Sequence, residues 1–258
     1  MKVACAQMNI AFAEPEKNFL TIEYFVSEAA KAGCEIIVFP EMWNTGYALG
    51  QLDIHADRNG EKTKLLLSKL SNRYQIHIVG GSVSTKKADG FYNTMFVANK
   101  TGAIVSEYDK VHLFRLMEEH LVLKPGNQKN LFDLDNIPCA GVICYDLRFP
   151  EWIRAHTLDG AKIVFIPAQW PKSRIDHWRV LLQARAIENQ CYIVAVNRVG
   201  SDPSNEFNGH SMVIGPWGDI LLDKQTLEGL YCVEIDLNDV NKVRQTIPIF
   251  TDRRTDLY

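Results

Sequence analysis

The sequence contains no CxxC pair and no cysteine–histidine set at zinc-ligand spacing, so a structural metal site is not expected. No apolar run approaches the roughly 18 residues that a membrane-spanning helix needs. Lysine and arginine nowhere collect into a basic run. The formal charge is −3, so nucleic acid and anionic membranes are not expected partners. HIVGG (77–81) has two glycines but not the GxGxxG order of a dinucleotide site. No stretch rich in proline, glycine and serine divides the chain, which reads as one domain over residues 1–258. The first residues, MKVACAQMNIAF, are interrupted by Gln7 and Asn9 and read as a strand, not as a secretion signal. The expectation is a soluble cytoplasmic protein. Its six cysteines lie mostly in apolar strand-like runs and read as reduced, buried side chains.

What is present is enough apolar material for a large core, 47% of 258 residues, arranged with an internal likeness. KAGCEIIVFPE (31–41) and LDGAKIVFIPA (158–168) share a glycine, a polar residue, an apolar run and a proline. Each glycine, Gly33 and Gly160, suits a left-handed helix end. Each apolar run suits a strand buried on both faces. LLLSKLSNRYQIHIVGG (65–81) parallels LLQARAIENQCYIVAVN (181–197), a helix and then a strand. NTMFVANKTGAIVSEY (93–108) parallels HSMVIGPWGDILLD (210–223), a hairpin in each case. Two related halves follow, each a mixed sheet with helices on one face. The other sheet face must be covered, most simply by the second sheet. The predicted fold is an α/β four-layer α-β-β-α sandwich. The segment from Pro248 to Tyr258 is expected as a solvated tail or an arm across a subunit interface.

Ligands of open α/β sheets gather beyond the carboxyl ends of strands. Three apolar runs end on chemically capable residues: Glu41 after EIIVFP, Lys110 after AIVSEYD and Cys144 after AGVI. Taken singly, a solvated carboxylate, a surface ammonium and an inert buried thiol are the ordinary readings. Together they form a reactive set. A thiol attacks as thiolate, a carboxylate can take its proton, and an ammonium stabilises anions. The backbone N–H of Tyr145 and the Lys110 ammonium are candidate donors to an oxyanion.

These residues also carry a family resemblance. FPEMWNTGY (39–47), YDKVHLF (108–114) and CYDLRFPE (144–151) resemble the three signature blocks of the nitrilase superfamily, the carbon–nitrogen hydrolases. The likeness runs over nearly the whole chain. It implies the same four-layer sandwich, with Glu41 as general base, Lys110 stabilising the tetrahedral intermediate and Cys144 as nucleophile. It also implies a second glutamate in MEEHLVLKPG. The distance back from Gly126 favours Glu119 over Glu118. No metal or organic cofactor is implied. A homodimer or higher homo-oligomer is, paired through the helical face near the nucleophile's strand.

Tyr145 and Asp146 stand where true nitrilases of the superfamily often have Trp and Glu, which places the chain on the amidase side. EMWNTGYAL, AQWPKSRIDHW (168–178) and ARAIEN (184–189) look most like the omega-amidase branch, which acts on monoamides of 2-oxo dicarboxylic acids. Such a substrate carries a carboxylate, for which Arg148, Lys172, Arg174 and His177 are candidate partners. Tyr47 and Trp170 are candidate pocket walls. For Arg148 a structural ion pair with Asp146 or Glu151 is the favoured reading. His112 reads as a structural hydrogen-bonding residue, and Arg185 with Glu188 as a helix-face ion pair. Three other functions stay open at this stage: an N-carbamoyl hydrolase with the same residues, a thiol–histidine hydrolase, and a catalytically silent scaffold.

Overall fold

A computed structural model of the chain describes residues 1–224 and 226–257, leaving Gln225 and Tyr258 outside the description. The first strand, β1 (Lys2–Gln7), shows how period-two side-chain alternation builds the layers. Val3 and Cys5 join one buried cluster and Ala4 and Ala6 another. The second cluster lies under the amphipathic helices α1 (Pro15–Lys31) and α2 (Glu61–Tyr74), through Ile22, Phe25, Val26, Leu67 and Leu70. Strands β2 (Ile36–Val38) and β3 (His77–Val79) extend β1 in parallel. Strands β4 (Val83–Lys87), β5 (Gly90–Ala98) and β6 (Ile104–Asp109) follow, with β5 antiparallel to β3, β4 and β6.

The second half begins after β7 (Leu131–Leu134) and repeats this plan. Strands β8 (Ile137–Gly141), β9 (Ile163–Ala168) and β10 (Tyr192–Asn197) are parallel, joined through helices α3 (Pro150–Leu158) and α4 (Ile175–Asn189). The hairpin of β11 (Ser211–Ile214) and β12 (Ile220–Lys224) completes the sheet antiparallel to β10. Gly33 and Gly160 both take positive φ just past the ends of α1 and α3, as expected of helix-ending glycines.

Each half also lends its last strand to the other. β7 pairs antiparallel with β8, and β13 (Gly229–Glu234) pairs antiparallel with β1. This exchange stitches the halves together without a linker. Val3, Val38, Val79 and Val97 of the first sheet share one core with Cys139, Phe165 and Val194 of the second, and Ile153, Trp178 and Leu182 of α3 and α4 belong to it too. The result is helix, sheet, sheet, helix. Each fully buried Val, Ile, Leu or Phe contributes about 1.5–3 kcal/mol before entropy is counted. After the helix α5 (Asn238–Thr246), the segment from Pro248, expected as a tail or arm, begins with the short helix Ile249–Asp252. Its Phe250 packs under the guanidinium groups of Arg154 and Arg244.

Candidate active site

Glu41 lies just past β2, in a loop that the chain holds by main-chain contacts. Ser82 donates its N–H to the Pro40 carbonyl at 3.1 Å, and its Oγ accepts from Met42 N–H at 2.9 Å. Gly81, at φ +60°, makes this possible: a Cβ there would sit 2.0 Å from the Pro40 oxygen. The second glycine of HIVGG therefore serves close packing beside the Glu41 loop.

Lys110 follows β6 directly. Its N–H bonds the Asn93 carbonyl at 2.9 Å, continuing the pairing with β5. Cys144 lies three residues beyond β8, where the chain leaves the sheet for a turn of 3₁₀ helix, Cys144–Arg148. Its φ is +44°, a left-handed conformation that is uncommon for a non-glycine residue and costs about 1–3 kcal/mol. The surrounding contacts must hold it there.

The three tips meet. Lys110 Nζ lies 2.7 Å from Glu41 Oε1 and 2.7 Å from Glu119 Oε1, and all three side chains are fully buried. The Cys144 thiol is buried, and Glu41 and Lys110 both act electrostatically on it. Glu41 Oε1 accepts from Asn93 Nδ2 at 2.8 Å, and Oε2 from the Gln169 N–H at 2.9 Å. Gln169 Nε2 donates to the Glu41 carbonyl at 2.8 Å, while its Oε1 accepts from the buried Arg198 at 3.0 Å. Glu119 accepts from Tyr47 OH at 2.6 Å and from the Phe114 N–H at 2.7 Å. Glu118 is exposed and takes no part.

The electrostatics follow from burial and pairing. Burial works against the Lys110 charge, but Glu119 and Glu41 outweigh it and hold the ammonium above its usual range. Burial, reinforced by Glu41, pushes the Cys144 thiol well up against the opposing pull of Lys110. Burial likewise raises Glu119, with Lys110 pulling the other way. Burial thus favours the neutral thiol over the thiolate. The Tyr145 N–H lies in the first turn of the 3₁₀ helix, where the helix itself offers no acceptor.

The remaining predicted residues divide. Tyr47 joins the cluster through Glu119. Phe114, Tyr145, Arg148, Trp170 and Arg174 line a cleft that reaches Cys144. The ion pair expected for Arg148 with Asp146 or Glu151 does not form among the described residues, and both Asp146 oxygens accept from other donors. The Arg148 guanidinium instead lies 4.7 Å from the Trp170 ring centroid, with Nη2 3.3 Å from Nδ1 of His177. Arg174 lies over Phe114, whereas Lys172 turns away to pair with Glu206. His112 bonds Asp146 at 2.7 Å, and Arg185 pairs with Glu188 at 2.9 Å, both as expected. Asn93, Gln169, Asp146 and Arg198 were missed. The available signal was a polar residue inside or directly after an apolar run, as in GFYNTMFVA and IPAQW.

Glu41, Lys110 and Glu119 are the charged groups that act most strongly on the thiol. Comparisons with known proteins agree with this chemistry. The family model described as carbon-nitrogen hydrolase matches residues 2–245. A 2-oxoglutaramate amidase of Bacillus subtilis (strain 168) is 47% identical over 256 residues, covering 99% of this chain and 98% of that protein. The human omega-amidase NIT2 is 30% identical over 266 residues, covering 100% and 96%. Among solved structures, a CN-hydrolase superfamily protein of Xanthomonas campestris superposes with a TM-score of 0.93 at 27% identity, over 99% of this chain and 97% of that one. Sequence and backbone agree along almost the entire length, and the chain belongs to the carbon–nitrogen hydrolase family.

Proposed function

We propose that this protein is an omega-amidase that hydrolyses the terminal amide of 2-oxoglutaramate-like acids through a Cys144 thioester. The convergence of one thiol, one ammonium and two carboxylates in a buried site carries the reading, and the amidase relative at 47% identity supports the substrate. Glu41 accepts the thiol proton as Sγ bonds to the amide carbon. Lys110 and the Tyr145 N–H stabilise the oxyanion, a contribution of about 3–4 kcal/mol per donor. Glu41 then passes its proton to the amide nitrogen, the C–N bond breaks and ammonia leaves. Water, deprotonated by the same carboxylate, attacks the thioester carbon and releases the acid and the thiol. Glu119, held by Tyr47 and the Phe114 N–H, orients Lys110 and contributes to substrate placement.

Arg148 and Arg174 supply the cations for the substrate carboxylate. Both lie over aromatic rings in the cleft beside Cys144, positions from which a fork of N–H donors can meet a carboxylate. Trp170 forms the wall beneath Arg148, and His177 steadies that guanidinium.

The chain acts as a homodimer, joined through α3 and α4. Exposed Leu158, Val180 and Ile187 on those helices support this. A cytoplasmic location suits a reduced thiol nucleophile among six free cysteines. No helix among the described residues is long and apolar enough to cross a membrane.

The test is ammonia release from 2-oxoglutaramate, 2-oxosuccinamate, glutamine, an aliphatic amide, an N-carbamoyl amino acid and a nitrile. The two 2-oxo acids are expected to lead. Preference for the carbamoyl compound would replace the substrate assignment. Turnover of none would remove the enzyme assignment. Sedimentation equilibrium tests the dimer.

A further inference from the structure

Asp146 stands two residues after Cys144, is fully buried, and accepts four hydrogen bonds. On Oδ2 it receives the Ile143 N–H at 2.9 Å and the Tyr108 hydroxyl at 2.8 Å. On Oδ1 it receives the His112 N–H at 3.0 Å and His112 Nδ1 at 2.7 Å. Ile143 immediately precedes the nucleophile. Tyr108 and His112 lie two residues before and two after Lys110. One carboxylate thus grips the turn that carries the thiol and both flanks of the residue that carries the ammonium.

The grip spans the two sheets. Cys144 leaves β8 of the second sheet, whereas Lys110 leaves β6 of the first. A carboxylate serving only to cap the 3₁₀ turn would need the Ile143 N–H alone. Three of the four donors come instead from Tyr108 on β6 of the other sheet and from His112 just beyond it. Further contacts stiffen the arrangement. The His112 ring stacks on Phe149 at 3.7 Å with 12° between the planes, and Trp152 Nε1 donates to Tyr108 OH at 3.2 Å. Both aromatic partners belong to the chain leaving the Cys144 turn. Cys144 holds its left-handed φ directly after an N–H that is anchored to this carboxylate.

We infer that Asp146 is a positioning residue that sets the distance and angle between the Cys144 sulfur and the Lys110 ammonium. It touches neither reacting atom. This rests on the proposed roles of Cys144 and Lys110, because only a reaction needing both groups in register would feel the loss. A misplacement of about 1 Å costs on the order of 100-fold in rate. Asp146→Asn keeps the shape but turns one acceptor into an NH₂ group facing donors.

The experiment measures kcat and KM of wild type, Asp146→Asn and Tyr108→Phe on the best amide substrate, together with Tm. Each kcat is normalised to the fraction of Cys144 labelled by iodoacetamide, read by peptide mass spectrometry. Asp146→Asn is expected to lose about 100-fold or more in normalised kcat, with KM within about threefold of wild type. Tyr108→Phe removes the donor to Asp146, and with it the acceptor of Trp152 Nε1, without changing the packing shape, and is expected to lose about three- to tenfold in kcat, again at constant KM. If Asp146→Asn does not fold, the Tyr108→Phe result decides. A folded Asp146→Asn or Tyr108→Phe protein with wild-type normalised kcat, or with a loss confined to KM, overturns the inference. A wild type that releases no ammonia removes the functional reading itself, a distinct outcome.

Discussion

The two halves share a topology and differ in chemistry. Both run as three parallel strands, two covering helices and an antiparallel hairpin, and each gives its last strand to the other's sheet. Yet the first half supplies Glu41, Lys110 and Glu119, and the second supplies Cys144. The residue matching Glu41 after the shared proline is Ala168, whose carbonyl lies 3.5 Å from Glu41 N. The repeated scaffold brings strand tips of the two halves together, those after β2 and β9 being equivalent. Unequal residues at those tips then put a nucleophile on one side and its base and cation on the other. The repeated topology places the strand tips, and the different residues at those tips supply the chemistry.

The largest expected effect tests the second half's contribution. Cys144→Ala should lower ammonia release by on the order of 10⁴-fold or more, with Tm nearly unchanged, since little volume is lost. Retention of normal turnover would end the comparison.

Lys110→Met tests the first half and should differ in kind. It removes an oxyanion donor, lowering kcat by about 10²–10³-fold. It also leaves Glu41 and Glu119 buried without their cation, which should destabilise the fold by about 3–5 kcal/mol in urea denaturation. Loss of activity without loss of stability would show that the pair is not as closed as its distances imply.

Arg148→Met should act on the substrate rather than on either tip. KM for 2-oxoglutaramate should rise about tenfold or more, as the loss of a charge-assisted pair of about 1.5–3 kcal/mol requires. KM for a neutral aliphatic amide should stay within about threefold. Equal effects on both substrates would move the carboxylate site elsewhere.

The mildest effect at neutral pH contrasts Cys144 with thiols that only pack. Burial raises Cys191 from an ordinary value of 9.0 to about 12, and raises Cys5 and Cys139 further. Above about pH 9 the unfolded chain has lost these thiol protons while the folded chain keeps them, so the unfolded state binds fewer protons and stability falls as pH rises. The contribution is complete below pH 9 and declines above it. Thermal melts between pH 7 and 11 should show Tm decreasing from about pH 9, and Cys191→Ala should flatten that decline.

Much of this was legible in the linear chain because it depends on local pattern. Apolar runs closed by Pro40 and Pro167, and glycines at 33 and 160, announced strands and helix ends, since burial and backbone sterics act over a few residues. The repetition of that pattern implied two sheets, and the need to cover their apolar faces implied four layers. Glu41, Lys110 and Cys144 stood out because each follows such a run. Other features were decided only when strands 30 to 130 residues apart came together. Glu119 rather than Glu118 faces Lys110 because the chain at Glu118 takes φ +59° and turns that side chain outward. Arg148 lies against Trp170, while the oxygens of Asp146 are filled by Ile143, Tyr108 and His112. Asn93, Gln169 and Asp146 look like ordinary polar residues in sequence. Their partners are main-chain and side-chain groups of distant strands, and hydrogen bonds of that kind exist only once tertiary packing has excluded water and fixed the angles.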